Sequence, residues 1–94
     1  MNASKIEREI ILFARELGFM SIGLNGLPIY GSSCARLFIS ASGRTSILIF
    51  KSEPEFPDSF LADFIHNLEK HHQALHVISS VRSGRRAIQE ELPL

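Results

Sequence analysis

The amino-acid sequence predicts a small α/β protein, a three-layer sandwich built on a mixed β-sheet. Two segments, 4–17 and 59–72, place apolar residues at helical spacing. Short apolar runs bounded by turn residues fall between and after them, which is typical of strands. One of these runs, SILIF, is apolar on both of its faces, as in a central strand covered on both sides. The predicted order is α-β-β-β-α-β-α, and 94 residues indicate a single domain, 1–94.

The first predicted helix spans about 4–17. Ser4 and Glu7 fit a capping box. The Ser4 side chain can accept from the backbone N–H of Glu7, and the Glu7 side chain can reach back towards the backbone of Ser4. Gly18 is suited to end the helix in a left-handed turn. One face carries the apolar residues Ile6, Ile10, Phe13, Ala14 and Leu17.

Two hairpins are predicted after this helix. Asn25-Gly26 separates two short apolar segments and tolerates the positive φ angles of a tight turn. Pro28 makes its second arm an edge strand or a loop. The second hairpin joins RLFISA, 36–41, to TSILIF, 45–50, through the turn SGR.

The rest of the chain predicts a crossover and a last helix. KSEPEFP reads as a loop, and Asp58 is a suitable N-cap for the helix at 59–72. ALHVIS, 74–79, reads as a strand parallel to SILIF, since a helix between two strands gives a right-handed βαβ unit. A short helix is predicted at 85–91.

Composition restricts the function classes only moderately. Ten Lys plus Arg balance ten Asp plus Glu, so the whole molecule has no electrostatic bias towards nucleic acid or anionic membranes. The chain has a single cysteine, Cys34, which excludes an internal disulfide. A reducing cytoplasm is therefore the default compartment. The start of the chain does not resemble a targeting signal, and no apolar run approaches the ~20 residues of a membrane helix. We therefore expect a soluble, cytoplasmic protein.

Several segments follow one another in an order that resembles a nuclease core. They are ELGF, YGSSCARLFI, SASGRTS, LIFKSEPEF, FLADFIHNLEKHH and HVISSVRS, which together extend over about residues 4–90. This order of helix, hairpin, strand ending in Lys51, helix and strand is similar to the PD-(D/E)XK nucleases. It resembles the VRR-NUC group most closely.

The resemblance implies a nuclease fold without nuclease chemistry. Active members hold Mg²⁺ through carboxylates. In this chain Ile49 occupies the position at which the resemblance places the Glu of Glu-X-Lys, and Ala35 is at or next to the position of the Asp. Glu7 and Lys51 are the candidates that remain if the protein is active. We therefore expect no catalytic residue, metal or cofactor, and a phage or mobile-element accessory or inhibitor protein. The alternative is a Mg²⁺-dependent nuclease with carboxylates displaced to Glu53, Glu55 or Asp58.

Basic residues provide a candidate nucleic-acid interface. Arginine side chains suit phosphate oxygens, and Gly84 within RSGRR would let a phosphate approach the backbone closely. The plainer interpretations are a solvated helix start and a charge at a strand end. The candidate contacts are Lys51, Arg82, Arg85 and Arg86.

Apolar residues near prolines provide a candidate protein interface. Leu27 and Tyr30 adjoin Pro28, and Phe56 lies between two prolines. Together they would anchor a homodimer or a protein partner at an open sheet edge. A purely structural or oligomerising module is a further alternative. The histidines His66, His71, His72 and His76 lack the spacing of zinc ligands. His71 and His72 are interpreted as capping groups near a helix end.

Overall fold

The structure is a computed structural model, which describes residues 2–24, 34–51, 66–67, 70 and 74–92. Six elements lie wholly within these residues. They are α1 (Ala3–Glu16), β1 (Met20–Gly23), β2 (Cys34–Ile39), β3 (Thr45–Phe50), β4 (Ala74–Ile78) and α2 (Val81–Glu91). His66, Asn67 and Lys70 are helical, within the helix predicted at 59–72, whose other residues lie outside the described part.

The four strands form one mixed sheet in the order β1-β2-β3-β4. β1 pairs with β2 and β2 pairs with β3, both antiparallel, whereas β3 and β4 are parallel. The predicted α/β class, the mixed sheet and the parallel pairing of SILIF with LHVIS are therefore confirmed. The turn between β2 and β3 also forms as predicted: Gly43 has φ 89°, and Ser40 N donates to Arg44 O at 2.8 Å.

Both described helices cover the same face of the sheet. Alternate residues of β2 and β3 point towards the helices, and among them Phe38 and Phe50 meet edge to face with ring centroids 6.4 Å apart. Ile10 of α1 and Ile88 of α2 are fully buried against this face. The larger core of the protein therefore lies between the helices and the sheet.

A second, smaller apolar cluster lies on the opposite face of the sheet. Ala35, Ile47 and Ile49 are buried there, and Leu37 and Leu75 pack against them. Since β3 is buried on both faces, the reading of SILIF as a central, doubly covered strand is confirmed.

The N-terminus of α1 differs from the prediction. Asn2 is the N-cap, and its side chain accepts from Lys5 N at 2.9 Å. Ser4 lies inside the helix, and the Glu7 side chain is bound to Arg36 instead of reaching back to the chain start. The predicted capping box is therefore wrong, because another cap was available two residues earlier. Gly18, with φ 85°, follows the end of the helix as predicted.

The last helix begins at Val81 and not at Arg85. Ser80 is its N-cap, and its hydroxyl accepts from Ser83 N at 3.1 Å. Gly84 lies within the first turns of the helix and is buried against Ile10 and Ile78. Because Gly84 has no side chain, α2 packs close to the core. The backbone of Gly84 is therefore covered and does not lie open to a phosphate group.

Other predictions fall outside the described residues. The hairpin turn at Asn25-Gly26, the edge position of Pro28 and the N-cap Asp58 are among them. In the described part, β1 has β2 as its partner. None of the described helices is both long and apolar enough to cross a membrane.

Candidate functional site

Ala35 and Ile49 are cross-strand partners in the antiparallel register of β2 and β3. They are 4% and 1% exposed and belong to the smaller apolar cluster. The fold thus brings together the two positions at which the resemblance places metal-binding carboxylates. Neither side chain carries an oxygen that could bind a metal ion.

Glu7, the candidate catalytic carboxylate of α1, is held in a polar cluster on the other face of the sheet. Arg36 Nε donates to Glu7 Oε2 at 3.2 Å, and Arg36 Nη1 donates to Ser21 Oγ at 3.1 Å. The side chains of Glu7 and Arg36 are 19% and 22% exposed. The carboxylate is therefore neutralised by a half-buried guanidinium, and the ion pair connects α1 to β2.

Lys51 follows the last residue of β3, at the edge where the parallel strands end. Its N–H donates to Ile78 O at 3.0 Å, which extends the ladder between β3 and β4 by one residue. Phe50 faces the helices, so the alternation of side chains directs Lys51 to the opposite face, with Ile49. Glu7 and Lys51 consequently lie on different faces of the sheet, and the structure does not bring them together.

The arginines of α2 are exposed. Arg82, Arg85 and Arg86 all reach solvent, and none has a carboxylate within 4 Å among the described residues. Arg85 places its guanidinium carbon 5.5 Å from the centroid of the Phe13 ring, which fixes its position by a cation–π contact. Because α2 starts directly after β4, its N-terminus and Lys51 lie at the same end of the sheet.

The predicted protein anchors Leu27, Tyr30 and Phe56 lie outside the described residues. In the described part, the largest exposed apolar side chains of the sheet are on β1. Met20 is 67% exposed and Ile22 is 52% exposed. Their register partners are Ile39 and Leu37, so both side chains lie on the face that α1 and α2 do not cover.

A cleft of about 180 Å³ lies between β4 and α2. His76 points into it, with its Nε2 atom buried and without a hydrogen-bond partner in the described part of the chain. Glu91 Oε2 is 4.0 Å from that nitrogen, too far for a hydrogen bond. The remaining lining residues are Val77, Ile78, Ser83, Arg86, Ala87 and Glu90.

Sequence reasoning missed this cleft. His76 lies in the strand predicted at 74–79 and is the third residue of β4, but its side chain was weighed only as a zinc ligand. The available signal was the alternation in ALHVI, which places His76 on the same face as the buried Ile78.

Cys34 is not an activated nucleophile. Burial raises the pKa of its thiol to about 11, and the charge of Glu7 and a hydrogen bond to Glu7 act in the same direction. Since the thiolate is the reactive form, the thiol is inert near neutral pH.

Within the described residues, no three His, Cys, Asp or Glu side chains lie close enough together to hold a metal ion. Comparisons with models of protein families, with curated proteins and with solved structures found no match. The class of protein is therefore defined by its fold, a small α/β domain with a mixed four-stranded sheet in the described part.

Proposed function

We propose that this chain is a non-catalytic binding domain that holds the phosphate backbone of nucleic acid with Lys51 and the arginines of α2. The observation that carries the non-catalytic part is the buried pair Ala35 and Ile49. Mg²⁺ requires several oxygen ligands in octahedral geometry, and these two side chains supply none. The resemblance to PD-(D/E)XK nucleases therefore supports a related fold that has kept binding and lost cleavage.

The exposed arginines support phosphate as the ligand. An arginine donates several N–H groups in a planar fork that matches phosphate oxygens, and Arg82, Arg85 and Arg86 have no carboxylate within 4 Å among the described residues. The positive end of the α2 dipole lies beside Arg82, in the first turn of the helix, and favours anions there. Lys51 adds a charge at the same end of the sheet, on the face opposite to α2.

Binding of this kind is weak and independent of sequence. The protein has no net charge, so long-range attraction to nucleic acid is small. The contacts made by Lys51 and the three arginines release counterions, and the affinity should fall steeply with salt.

A cleavage and gel-shift panel tests this function. Purified protein is incubated with single- and double-stranded DNA and RNA in the presence of Mg²⁺ or Mn²⁺. We expect no cleavage and a gel shift at low salt that disappears as salt is raised. Metal-dependent turnover that is lost in Lys51→Ala would show an active nuclease with displaced carboxylates. Absence of any gel shift at low salt would exclude the binding function.

Protein association is a second candidate function, favoured by the exposure of Met20 and Ile22 on β1. Two large apolar side chains on one face of an outer strand of the described sheet are suited to contact another protein or a second copy. The anchors Leu27, Tyr30 and Phe56 remain predictions for the same interface. A role as a phage or mobile-element accessory or inhibitor protein rests on the resemblance alone.

A further inference from the structure

The cleft beside β4 has a strand edge as one wall and a helix face as the other. In the described sheet, β4 is an outer strand. Three consecutive residues of β4, centred on Val77, line the cleft. Facing them are Ser83, Arg86, Ala87, Glu90 and Glu91, whose spacing of three and four residues marks one continuous face of α2.

The main chain of Val77 faces this cleft. Ile78 O accepts from Lys51 N, so Ile78 directs its backbone groups towards β3. In a parallel pair of strands, every second residue directs its N–H and C=O to the neighbouring strand. The N–H and C=O of Val77, which precedes Ile78, therefore point away from β3. Within the described part of the chain these two groups have no hydrogen-bond partner, as on any open strand edge.

The side chains that line the cleft carry charges of both signs, Arg86 against Glu90 and Glu91, and therefore do not select an acidic occupant. The Nε2 atom of His76 is buried and has no partner among the described residues. The groups that remain open to an occupant are the N–H and C=O of Val77, which main-chain donors and acceptors would complement.

We infer that this cleft binds an extended segment of another polypeptide, which pairs with Val77 as an added strand. The volume of about 180 Å³ agrees with a peptide side chain, since pockets for small molecules and cofactors usually span ~300–1,000 Å³. Strand addition obtains its affinity from main-chain hydrogen bonds and its selectivity from such side-chain pockets. This inference does not depend on nucleic-acid binding.

Selection from a displayed library of random octapeptides on the immobilised protein tests the inference. The enriched peptides are then synthesised with a single N-methyl group at each position in turn, and their affinities are measured with the unaltered protein. Strand addition predicts a period of two, because alternate peptide N–H groups face Val77 and the others face away. The sensitive positions should lose about tenfold or more in affinity.

Variants of the protein provide the matched controls. Val77→Pro removes the outward N–H and fixes φ, changes that an outer strand tolerates, and should abolish binding, whereas Val77→Thr keeps that N–H and should bind. Arg86→Ala removes a side chain that lines the cleft and should weaken binding of the enriched peptides, and Gln89→Ala, an exposed change outside the cleft, should not.

The outcomes separate the alternatives clearly. No enrichment of any peptide, or enriched peptides without the two-residue N-methyl period, would overturn the inference. If Val77→Pro does not fold, the N-methyl series still decides, since it uses the unaltered protein. Binding that survives in a folded Val77→Pro variant would place the peptide at another surface.

Discussion

A Cβ atom placed on Gly84 would lie 2.6 Å from both Cγ1 and Cδ1 of Ile10. Real Cβ atoms do not approach other atoms this closely, so α1 and α2 pack at a distance that only glycine permits at this position. Ile78 Cγ2 would be 3.2 Å away on the other side. A methyl group added at Gly84 would therefore meet Ile10 on one side and Ile78 on the other.

We expect Gly84→Ala to destabilise the protein. Alanine gains about 1 kcal/mol in helix propensity, but overpacking a core costs ~1–3 kcal/mol, which gives a net loss of about 1 kcal/mol. Urea unfolding measures the change. The cost should be smaller in an Ile10→Val background, where one of the two close carbons is absent. A stabilised Gly84→Ala variant would show that the two helices can move apart without loss of stability.

Glu7→Gln should lower the free energy of unfolding by about 1–2 kcal/mol, between the values for exposed and buried ion pairs. The carboxylate and Arg36 are both largely shielded from water, and Arg36 would keep its charge without a counterion. Glu9→Gln is the matched control, since Glu9 is an exposed carboxylate of the same helix and should matter little. Equal effects of the two substitutions in urea unfolding would contradict a stabilising role for the pair.

The stability of the fold should fall at high pH because of Cys34. Its pKa is raised from 9.0 to about 11 by burial and by Glu7, so the native state keeps the thiol proton over a range where the unfolded chain has lost it. The contribution of this proton is fully present below pH 9.0 and is lost as the pH rises through about 11. The difference in unfolding free energy between the unaltered protein and Cys34→Ala should therefore change over this range. A pH-independent difference would argue against the raised pKa.

Local patterns predicted much of the fold. The spacing of Ile6, Ile10 and Ala14 was sufficient to define the buried face of α1. The doubly apolar β3 and the crossover to β4 were predictable because a helix between two strands favours parallel pairing. The turn at Gly43 was predictable because strand-like segments flank it on both sides.

The errors arose where several local solutions compete. Both Asn2 and Ser4 can cap a helix, and the choice depended on Glu7, whose partner Arg36 lies 29 positions away in the sequence. The start of α2 was placed too late because Gly84 disfavours a helix unless tertiary packing requires it. The β4–α2 cleft could not be predicted, because it depends on the distance between a strand edge and a helix.

The arginines of α2 can be tested one at a time through the salt dependence of DNA binding. Loss of one phosphate contact should reduce the slope of log affinity against log salt by about 0.9. We expect this reduction for Arg82→Ala and similarly for Arg85→Ala and Arg86→Ala. Arg44→Ala removes the same charge from the exposed turn between β2 and β3 and should leave the slope unchanged. Equal slopes for all four variants would mean that binding, if present, does not use α2.

Self-association through β1 can be tested by sedimentation velocity at high micromolar concentration. Met20 and Ile22 are 67% and 52% exposed, and burial of these apolar side chains between two copies would favour a dimer. The double variant Met20→Thr with Ile22→Thr keeps strand propensity and should weaken the dimer about tenfold or more, since a loss of ~1.4 kcal/mol suffices. Leu12→Gln is the matched control, because Leu12 is an exposed apolar residue, 47% exposed, on α1 and not on β1. Circular dichroism should confirm that each variant is folded. A strictly monomeric unaltered protein would remove the self-pairing interface, and a dimer that resists the double variant would place it elsewhere.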